Sequence, residues 1–168
     1  PYGRNPDDPP FNLDPDCHTG PMTRSGADAI LVQNVICGPA PSDIASLRPK
    51  LKLPTSYQPI KGWPIASSID LTCFDMDREV VDNTMRALEV FRSLGATVEE
   101  VDLKWGRMAL DTGMDHLNHL FGIFINKMAK KHARLMTHYA LDFAKMARKS
   151  TADDFLRSME GAAKMYET

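Results

Sequence analysis

Serine side chains are the first candidates for chemistry in this 168-residue sequence. A serine hydroxyl with a neighbouring base and backbone N–H donors can attack an acyl group. The sequence contains no Ser-x-x-Lys, no Gly-x-Ser-x-Gly and no Gly-Gly-Ser-Ser-Gly motif. Ser67-Ser68 follows a strand-like run, but neither flanking glycines nor a nearby lysine accompany it. We therefore expect these serines to be ordinary strand residues, and we assign no catalytic residue within the chain.

Two histidines, His116 and His119, are separated by one helical turn, a spacing that suits two ligands of a metal ion. A third ligand would have to be Asp111, Asp115 or His132, at no recognised spacing. The pattern favours a polar helix edge or the lining of a pocket over a metal site. We therefore expect no metal and no other cofactor.

The adjacent residues Cys17-His18 raise the possibility of a thiol nucleophile beside its base. Catalytic cysteine and histidine residues usually come from distant positions that meet in the fold, and sequence neighbours rarely pair in this way. The stronger interpretation is that both residues belong to a loop that lines a pocket or contacts another part of the protein.

Composition excludes several classes of protein. The chain is 43% hydrophobic and 25% charged, with a formal net charge of −2, which argues against nucleic acid or an anionic membrane as its main partner. No run approaches the roughly 20 apolar residues of a membrane span, and the polar, proline-rich start is unlike a secretory signal. Three cysteines without a Cys-x-x-Cys motif favour a reducing, cytoplasmic compartment.

Residues 26–37 are predicted to form a core helix. Ser25 suits the N-cap, and Asp28, three residues later, takes the acidic position of a capping box. Apolar residues cover most of the circumference and leave Gln33 and Asn34 as a polar edge. A helix this apolar is expected to be buried between two layers of the fold.

The chain divides into three parts. Residues 1–64 contain, apart from the core helix, many prolines and are predicted to be mainly extended loop. Residues 65–103 predict a β-α-β unit with parallel strands, which places the chain in the α/β class. Residues 106–168 are helical and rich in methionine, and Ser150 with Asp153 suggests a capping box for the last helix.

Three stretches match sequence patterns of one enzyme family: Gly20 to Asp28, Gly38 to Asp43, and Pro1 to Arg4. The first reads GPMTRSGAD, for the pattern Gly-Pro-Met/Leu-x-Arg-Ser/Thr-x-x-Asp that precedes an apolar helix. The second begins with the Gly-Pro that follows that helix, and the third is similar to the end of Lys-Pro-x-x-Gly-Arg. The chain therefore resembles the amidase signature family of Ser-cisSer-Lys amide hydrolases, strongly over residues 1–48, fairly to residue 103 and faintly beyond.

The resemblance implies a mixed sheet covered by helices on both faces, with a helix-rich second half, and residues 1–168 as one incomplete domain. It also implies that the nucleophile and its lysine base lie in a signature upstream of Pro1. The loop before Gly20 would pass the active site, so Cys17 and His18 are expected to contact substrate. The family usually has an aspartate where this chain has the cysteine. Further along, the resemblance implies that apolar residues of the helical half wall the acyl pocket, namely Phe121, Phe124 and Met128.

Two functions follow from this resemblance. The first is part of an amidase that hydrolyses a carbon–nitrogen amide bond through a serine acyl-enzyme, with its catalytic residues outside this chain. Its partners would be a small-molecule amide and the remainder of the amidase core, in cis or in trans, with no nucleic acid and no membrane. The alternative is a non-catalytic, amidase-like interaction module that binds a partner chain. In both cases the chain alone is expected to be inactive toward amides and to expose apolar surface.

Overall fold

The computed structural model describes residues 2–167, which form two compact units divided between residues 59 and 60. None of the described helices combines the length and the apolar content that crossing a lipid bilayer requires. The α-helices are α1 (Gly26–Ile36), α2 (Arg78–Ser93), α3 (Met108–Leu117), α4 (Ile123–His132), α5 (His138–Ala147) and α6 (Ala152–Tyr166), and the strands are β1 (Pro64–Ser67) and β2 (Thr97–Glu100).

In the first unit, irregular backbone surrounds the single described helix α1 and a short 3-10 turn at Phe11–Leu13. The start of the chain is held by two backbone hydrogen bonds, from Leu47 N–H to the Gly3 carbonyl and from Gly38 N–H to the Arg4 carbonyl, at 2.7 and 2.9 Å. Gly3 has a positive φ of 70°, and a Cβ there would collide with the Ala45 carbonyl. The predicted loop therefore has a fixed course.

A buried carboxylate, Asp43, fastens three parts of this loop-rich unit together. It accepts hydrogen bonds from the Ala45 N–H, the Asn12 side-chain amide and the Asp7 N–H, at 2.9, 3.0 and 3.2 Å. Burial raises the pKa of Asp43, but the three hydrogen bonds outweigh this and hold the pKa below its ordinary value. Asp43 is therefore ionised at neutral pH and has a structural role.

Within this chain, α1 is not buried between two layers. Leu31 and Val35 are 64% and 70% exposed, and no residue of the helix is fully buried. The polar residues Gln33 and Asn34 instead face the protein, because the loop-rich segments pack only on their side of the helix. The predicted N-cap is confirmed, since Ser25 Oγ accepts a hydrogen bond from Asp28 N–H at 3.1 Å.

The second unit begins with the predicted β-α-β arrangement. β1 and β2 pair in parallel, with Ile65 opposite Val98, and α2 makes the crossover between them. Asp77 is the N-cap of α2 and accepts a hydrogen bond from Glu79 N–H at 2.8 Å. Gly95, with φ of 88°, follows the helix and allows the chain to turn into β2. The sheet consists of these two strands within residues 2–167.

The remainder of the second unit is helical, as predicted. A π-helical stretch, Asn118–Gly122, joins α3 to α4, and Gly122 lies so close to α5 that an added Cβ would be 2.5 Å from the Ala147 Cβ. The last capping box starts one residue later than predicted: Thr151 and Asp154 form it, where the sequence suggested Ser150 and Asp153. The α/β class with a helix-rich second half is therefore confirmed.

Candidate functional site

A cleft of about 330 Å³ in the first unit brings together polar groups from three segments. Asn5 and Gln33 pair their side-chain amides there, with Gln33 Nε2 donating to Asn5 Oδ1 at 2.6 Å and Asn5 Nδ2 donating to Gln33 Oε1 at 3.2 Å. Asn5 Nδ2 also donates to the Thr19 carbonyl at 2.8 Å. The residues around the cleft are Arg4, Asn5, Thr19, Gly20, Gln33, Cys37, Leu51 and Leu53.

Helix α1 forms one wall of this cleft, and the irregular connector after it, residues 39–59, forms another. Asn34 binds the connector at both backbone groups of Leu53, donating to its carbonyl at 3.0 Å and accepting from its N–H at 2.7 Å. The buried Cys37 donates its thiol to the Leu51 carbonyl at 3.1 Å. Since these bonds fix the connector against the helix, the amide groups of the cleft are held in place before any ligand arrives.

The two predicted substrate-contact residues in this unit, Cys17 and His18, directly precede the cleft residues Thr19 and Gly20. The His18 ring packs edge-on against Tyr2, with ring centroids 6.1 Å apart and an interplanar angle of 76°. Cys17 is partly buried, and its N–H donates to the Asp14 carbonyl at 3.1 Å. The loop thus lies beside the cleft in sequence, while contact with a substrate stays a prediction.

The chemistry of Cys17 does not suit a nucleophile. Burial raises the pKa of its thiol, and the negative charges of Asp7 and Asp14 raise the pKa further. A thiol attacks as its thiolate, and these neighbours disfavour that form. The structure therefore agrees with a loop residue in this position, and among residues 2–167 no neighbour is seen to lower the pKa of the thiol.

The three predicted pocket-wall residues lie in the second unit on one continuous run of helix. Phe121 belongs to the π-helical stretch, and Phe124 and Met128 follow on α4 at steps of three and four residues. All three are partly exposed, and Phe121 also contacts the Phe143 ring at a centroid distance of 6.1 Å. They form a semi-exposed apolar stripe, and their role as the wall of an acyl pocket stays a prediction.

The histidine pair of α3 and the π-helical stretch contributes to packing. The ring of Phe155 stacks on His119 with centroids 4.9 Å apart, and it lies 5.8 Å from the His116 ring. His119 Nδ1 is also 3.2 Å from Ser150 Oγ. A hydroxyl beside an imidazole resembles a nucleophile with its base, but no carboxylate orients the other nitrogen of His119 among residues 2–167. The arrangement is a stacked, hydrogen-bonded helix contact.

Sequence reasoning did not find the paired amides of Asn5 and Gln33. They are separated by 28 positions, and neither belongs to a catalytic motif. The signal available in the sequence was the polar edge of Gln33 and Asn34 on an otherwise apolar helix. That edge indicates that this side of the helix contacts polar groups, but it does not identify the residue that Gln33 contacts.

Comparison with known proteins places the chain in a family. The sequence profile of the family described as Amidase matches residues 3–165. The chain belongs to the amidase family. A glutamyl-tRNA(Gln) amidotransferase subunit from Ruthia magnifica subsp. Calyptogena magnifica is 36% identical over 86 residues, which cover 50% of this chain and 18% of that protein. The acylamidase of Rhodococcus erythropolis is 34% identical over 92 residues, covering 52% and 19%.

The amidase fold is also found by structural comparison. A bacterial aryl acylamidase of the amidase signature enzymes superposes with a TM-score of 0.69 over 95% of this chain and 36% of that chain, at 24% sequence identity. The predicted family and fold class are thereby confirmed. The chain spans 18% and 19% of the lengths of the two curated relatives, so it corresponds to a portion of each of these amidase-family proteins.

Proposed function

We propose that this chain is part of an amide hydrolase that cleaves a carbon–nitrogen bond through a serine acyl-enzyme. The family match over residues 3–165 is the observation that carries the proposal. The nucleophile and its lysine base would lie outside the chain. In support of this, no serine hydroxyl hydrogen-bonds to a lysine in the part of the chain that the structure describes.

The contribution of this chain would be to hold the substrate amide. Beyond the bonds of the Asn5–Gln33 pair and the bond from Asn5 to the Thr19 carbonyl, one N–H of Gln33 and a second lone pair on each side-chain oxygen remain, and these could bind another carboxamide. Cys17 and His18 would contact the substrate from the adjoining loop, and Phe121, Phe124 and Met128 would wall its acyl group. Relatives named acylamidase and aryl acylamidase make a small acylated amine the first substrate class to test.

The remainder of an amidase core, in cis or in trans, is the partner we propose. Two parallel strands are too few for an independently stable sheet, and α1 exposes large apolar side chains, Leu31 and Val35 among them. Both features would be covered by further strands and helices of the same fold.

The test compares the native gene product that contains residues 1–168 with the 168-residue chain alone. Each is treated with a serine-directed fluorophosphonate and assayed with an aryl amide. We expect the gene product to be labelled at one serine outside these residues and to hydrolyse the amide, whereas the isolated chain does neither.

Two outcomes would contradict the proposal. Labelling of a serine inside the chain would show that the nucleophile lies within residues 1–168, contrary to the proposal. Ser67, Ser68 and Ser150 would then be the first residues to examine. A gene product that binds a partner chain but neither labels nor hydrolyses amides would instead be the non-catalytic interaction module.

A further inference from the structure

Helix α4 and the turn after it carry a cluster of positive side chains without negative ones. Residues 116–141 contain no aspartate or glutamate, although the whole chain has a net charge of −2. Four cations in this interval follow the spacing i, i+3, i+4, i+7. The first three lie on one side of α4, and the fourth lies in the 3-10 helix that follows. We call them the basic face: Lys127, Lys130, Lys131 and Arg134.

The basic face is exposed and its charges are not neutralised within the chain. All four side chains are exposed, and none forms an ion pair with a carboxylate of residues 2–167. Helix α4 also packs on α5, where Arg148 Nε donates to Asn126 Oδ1 at 3.1 Å. The helix is therefore held against α5, while its three exposed lysines extend over about 6 Å of its length.

Exposed apolar side chains adjoin these charges. After α4 the chain turns through a 3-10 helix, Ala133–Leu135, and forms a notch of about 450 Å³ lined by residues 129–135. Leu135 at this turn is 85% exposed, and Tyr139 on the first turn of α5 is 83% exposed. Leu135 thus lines the same notch as Lys130, Lys131 and Arg134, and Tyr139 follows it by four residues.

Helix stability does not account for this surface. Cations in the last turn of a helix interact favourably with its dipole, which applies to Lys130 and Lys131. Lys127 lies more than one turn before the end of α4, and Arg134 lies beyond it. The dipole also gives no reason for a leucine and a tyrosine to be exposed beside the cations.

The net charge of −2 argues against an anionic membrane as the main partner of the whole chain, but it does not describe this local surface. We propose that the basic face, together with Leu135 and Tyr139, is a local site that binds the surface of an anionic lipid membrane. Lysine clusters on a helix are attracted to anionic headgroups, and tyrosine and leucine side chains enter the interface beside them. Three of the four cations are lysines, which act as mobile point charges, whereas directed recognition of one phosphate or carboxylate favours the arginine fork. A fluid anionic surface is the partner that this composition fits. The inference does not depend on the proposed amide hydrolysis.

The test is flotation of the native gene product that contains residues 1–168 with lipid vesicles, because aggregated protein does not float. We expect it to float with vesicles of phosphatidylcholine and phosphatidylserine, and not with phosphatidylcholine alone. Binding should fall as salt is raised, since the Debye length shrinks from about 10 Å at 0.1 M to about 3 Å at 1 M. Failure to float with the anionic vesicles at low salt would overturn the proposal.

Variants then test the surface itself. Removing three charges with Lys127→Gln/Lys130→Gln/Lys131→Gln should lower the partition coefficient roughly a hundredfold, at about fivefold for each charge. The matched control Arg48→Gln/Lys52→Gln/Arg78→Gln removes the same charge from exposed sites elsewhere and should retain most of the binding. An equal loss in both variants would overturn the proposal, because net charge alone would then explain it.

Two further experiments distinguish the expected result from a folding defect and from binding to a different partner. The charge-preserving variant Lys127→Arg/Lys130→Arg/Lys131→Arg should float like the original chain, and its failure to do so would contradict an electrostatic surface. A single-stranded RNA homopolymer is tested in parallel. Binding to the RNA without binding to anionic vesicles would assign the face to nucleic acid and overturn the lipid proposal.

Discussion

Gln33 and Asn5 pair their side-chain amides head to tail across the cleft of the first unit, with nitrogen-to-oxygen distances of 2.6 and 3.2 Å. Each amide thereby satisfies a donor and an acceptor of the other. A double-mutant cycle of Asn5→Ala and Gln33→Ala should give a coupling of about 0.5–1.5 kcal/mol in the free energy of unfolding, measured with urea. Such a coupling would indicate that the pair is formed in solution.

The control for this cycle is Asn34, the next residue of the same helix. Asn34 binds the backbone of Leu53 and has no hydrogen bond to Asn5. The effects of Asn5→Ala and Asn34→Ala should therefore add to within about 0.5 kcal/mol. A coupling as large as that of the Gln33 pair would mean that the first unit responds as a whole and that the amide pair has no separate energy.

Local signals in the sequence predicted the ends of several elements. Ser25 caps α1 and Gly95 follows α2, because capping and a positive φ depend on residue types within a few positions. The capping box of α6 lies one residue after the predicted position, because the local pattern is ambiguous there. The run Ser150-Thr151-Ala152-Asp153-Asp154 contains the Ser/Thr-x-x-Asp spacing twice, so the sequence alone does not select between the two.

Long-range packing was less predictable. The apolar circumference of α1 predicted burial, but burial requires partners, and within this chain only the side with Gln33 and Asn34 has them. The meeting of Gln33 with Asn5 depends on the course of a proline-rich loop, for which periodicity gives no information. The candidate site could thus be located near Gly20 from the family pattern, while its amide chemistry required the structure.

The second prediction concerns the acid stability of α6. The pKa of Asp154 is lowered to about 2, first by the N–H of Thr151, then by its hydroxyl and by the Arg157 guanidinium. Because the folded-state pKa lies below the unfolded value of about 3.9, this stabilisation is complete above that value and is lost as the pH falls toward 2. Denaturant midpoints at pH 7 and pH 3 should therefore differ less for Asp154→Asn than for the original chain.

Asp153 provides the control for this pH dependence, since it is exposed and adjacent but accepts none of these hydrogen bonds. Asp153→Asn should leave the difference between the two midpoints unchanged. If Asp154→Asn keeps the full difference, the capping box does not contribute to acid sensitivity and other carboxylates must account for it.

The third prediction tests the contact between α3 and α6. A Cβ added at Gly161 would collide with Thr112 Oγ1 and lie 3.2 Å from its Cβ and Cγ2, so Gly161→Ala should destabilise the chain by about 1–3 kcal/mol through overpacking. At Gly113, one position beyond Thr112 on α3, an added Cβ would meet no atom within 4 Å. Gly113→Ala should therefore stabilise the helix, by about 0.5–1 kcal/mol. Urea unfolding measures both, and a loss of similar size in the two variants would contradict the observed helix packing.

The last prediction places the loop of Cys17 and His18 beside the substrate of the assembled amidase. Cys17→Ala and His18→Ala should each change kcat/KM or substrate preference while the unfolding free energy stays within about 0.5 kcal/mol, because neither residue is fully buried. Cys73→Ala, at a second partly buried free cysteine in the other unit, is the matched control and should leave turnover unchanged.

Alkylation of Cys17 gives an independent measurement in the Cys73→Ala background. Since burial and the nearby aspartates raise the pKa of the Cys17 thiol, modification should be slow at neutral pH and faster in alkaline buffer. Once Cys17 is fully alkylated, turnover of the amide should fall, because the added group would take up space that the substrate needs beside the loop in front of Gly20. Unchanged turnover by the fully alkylated protein would remove this loop from the active site.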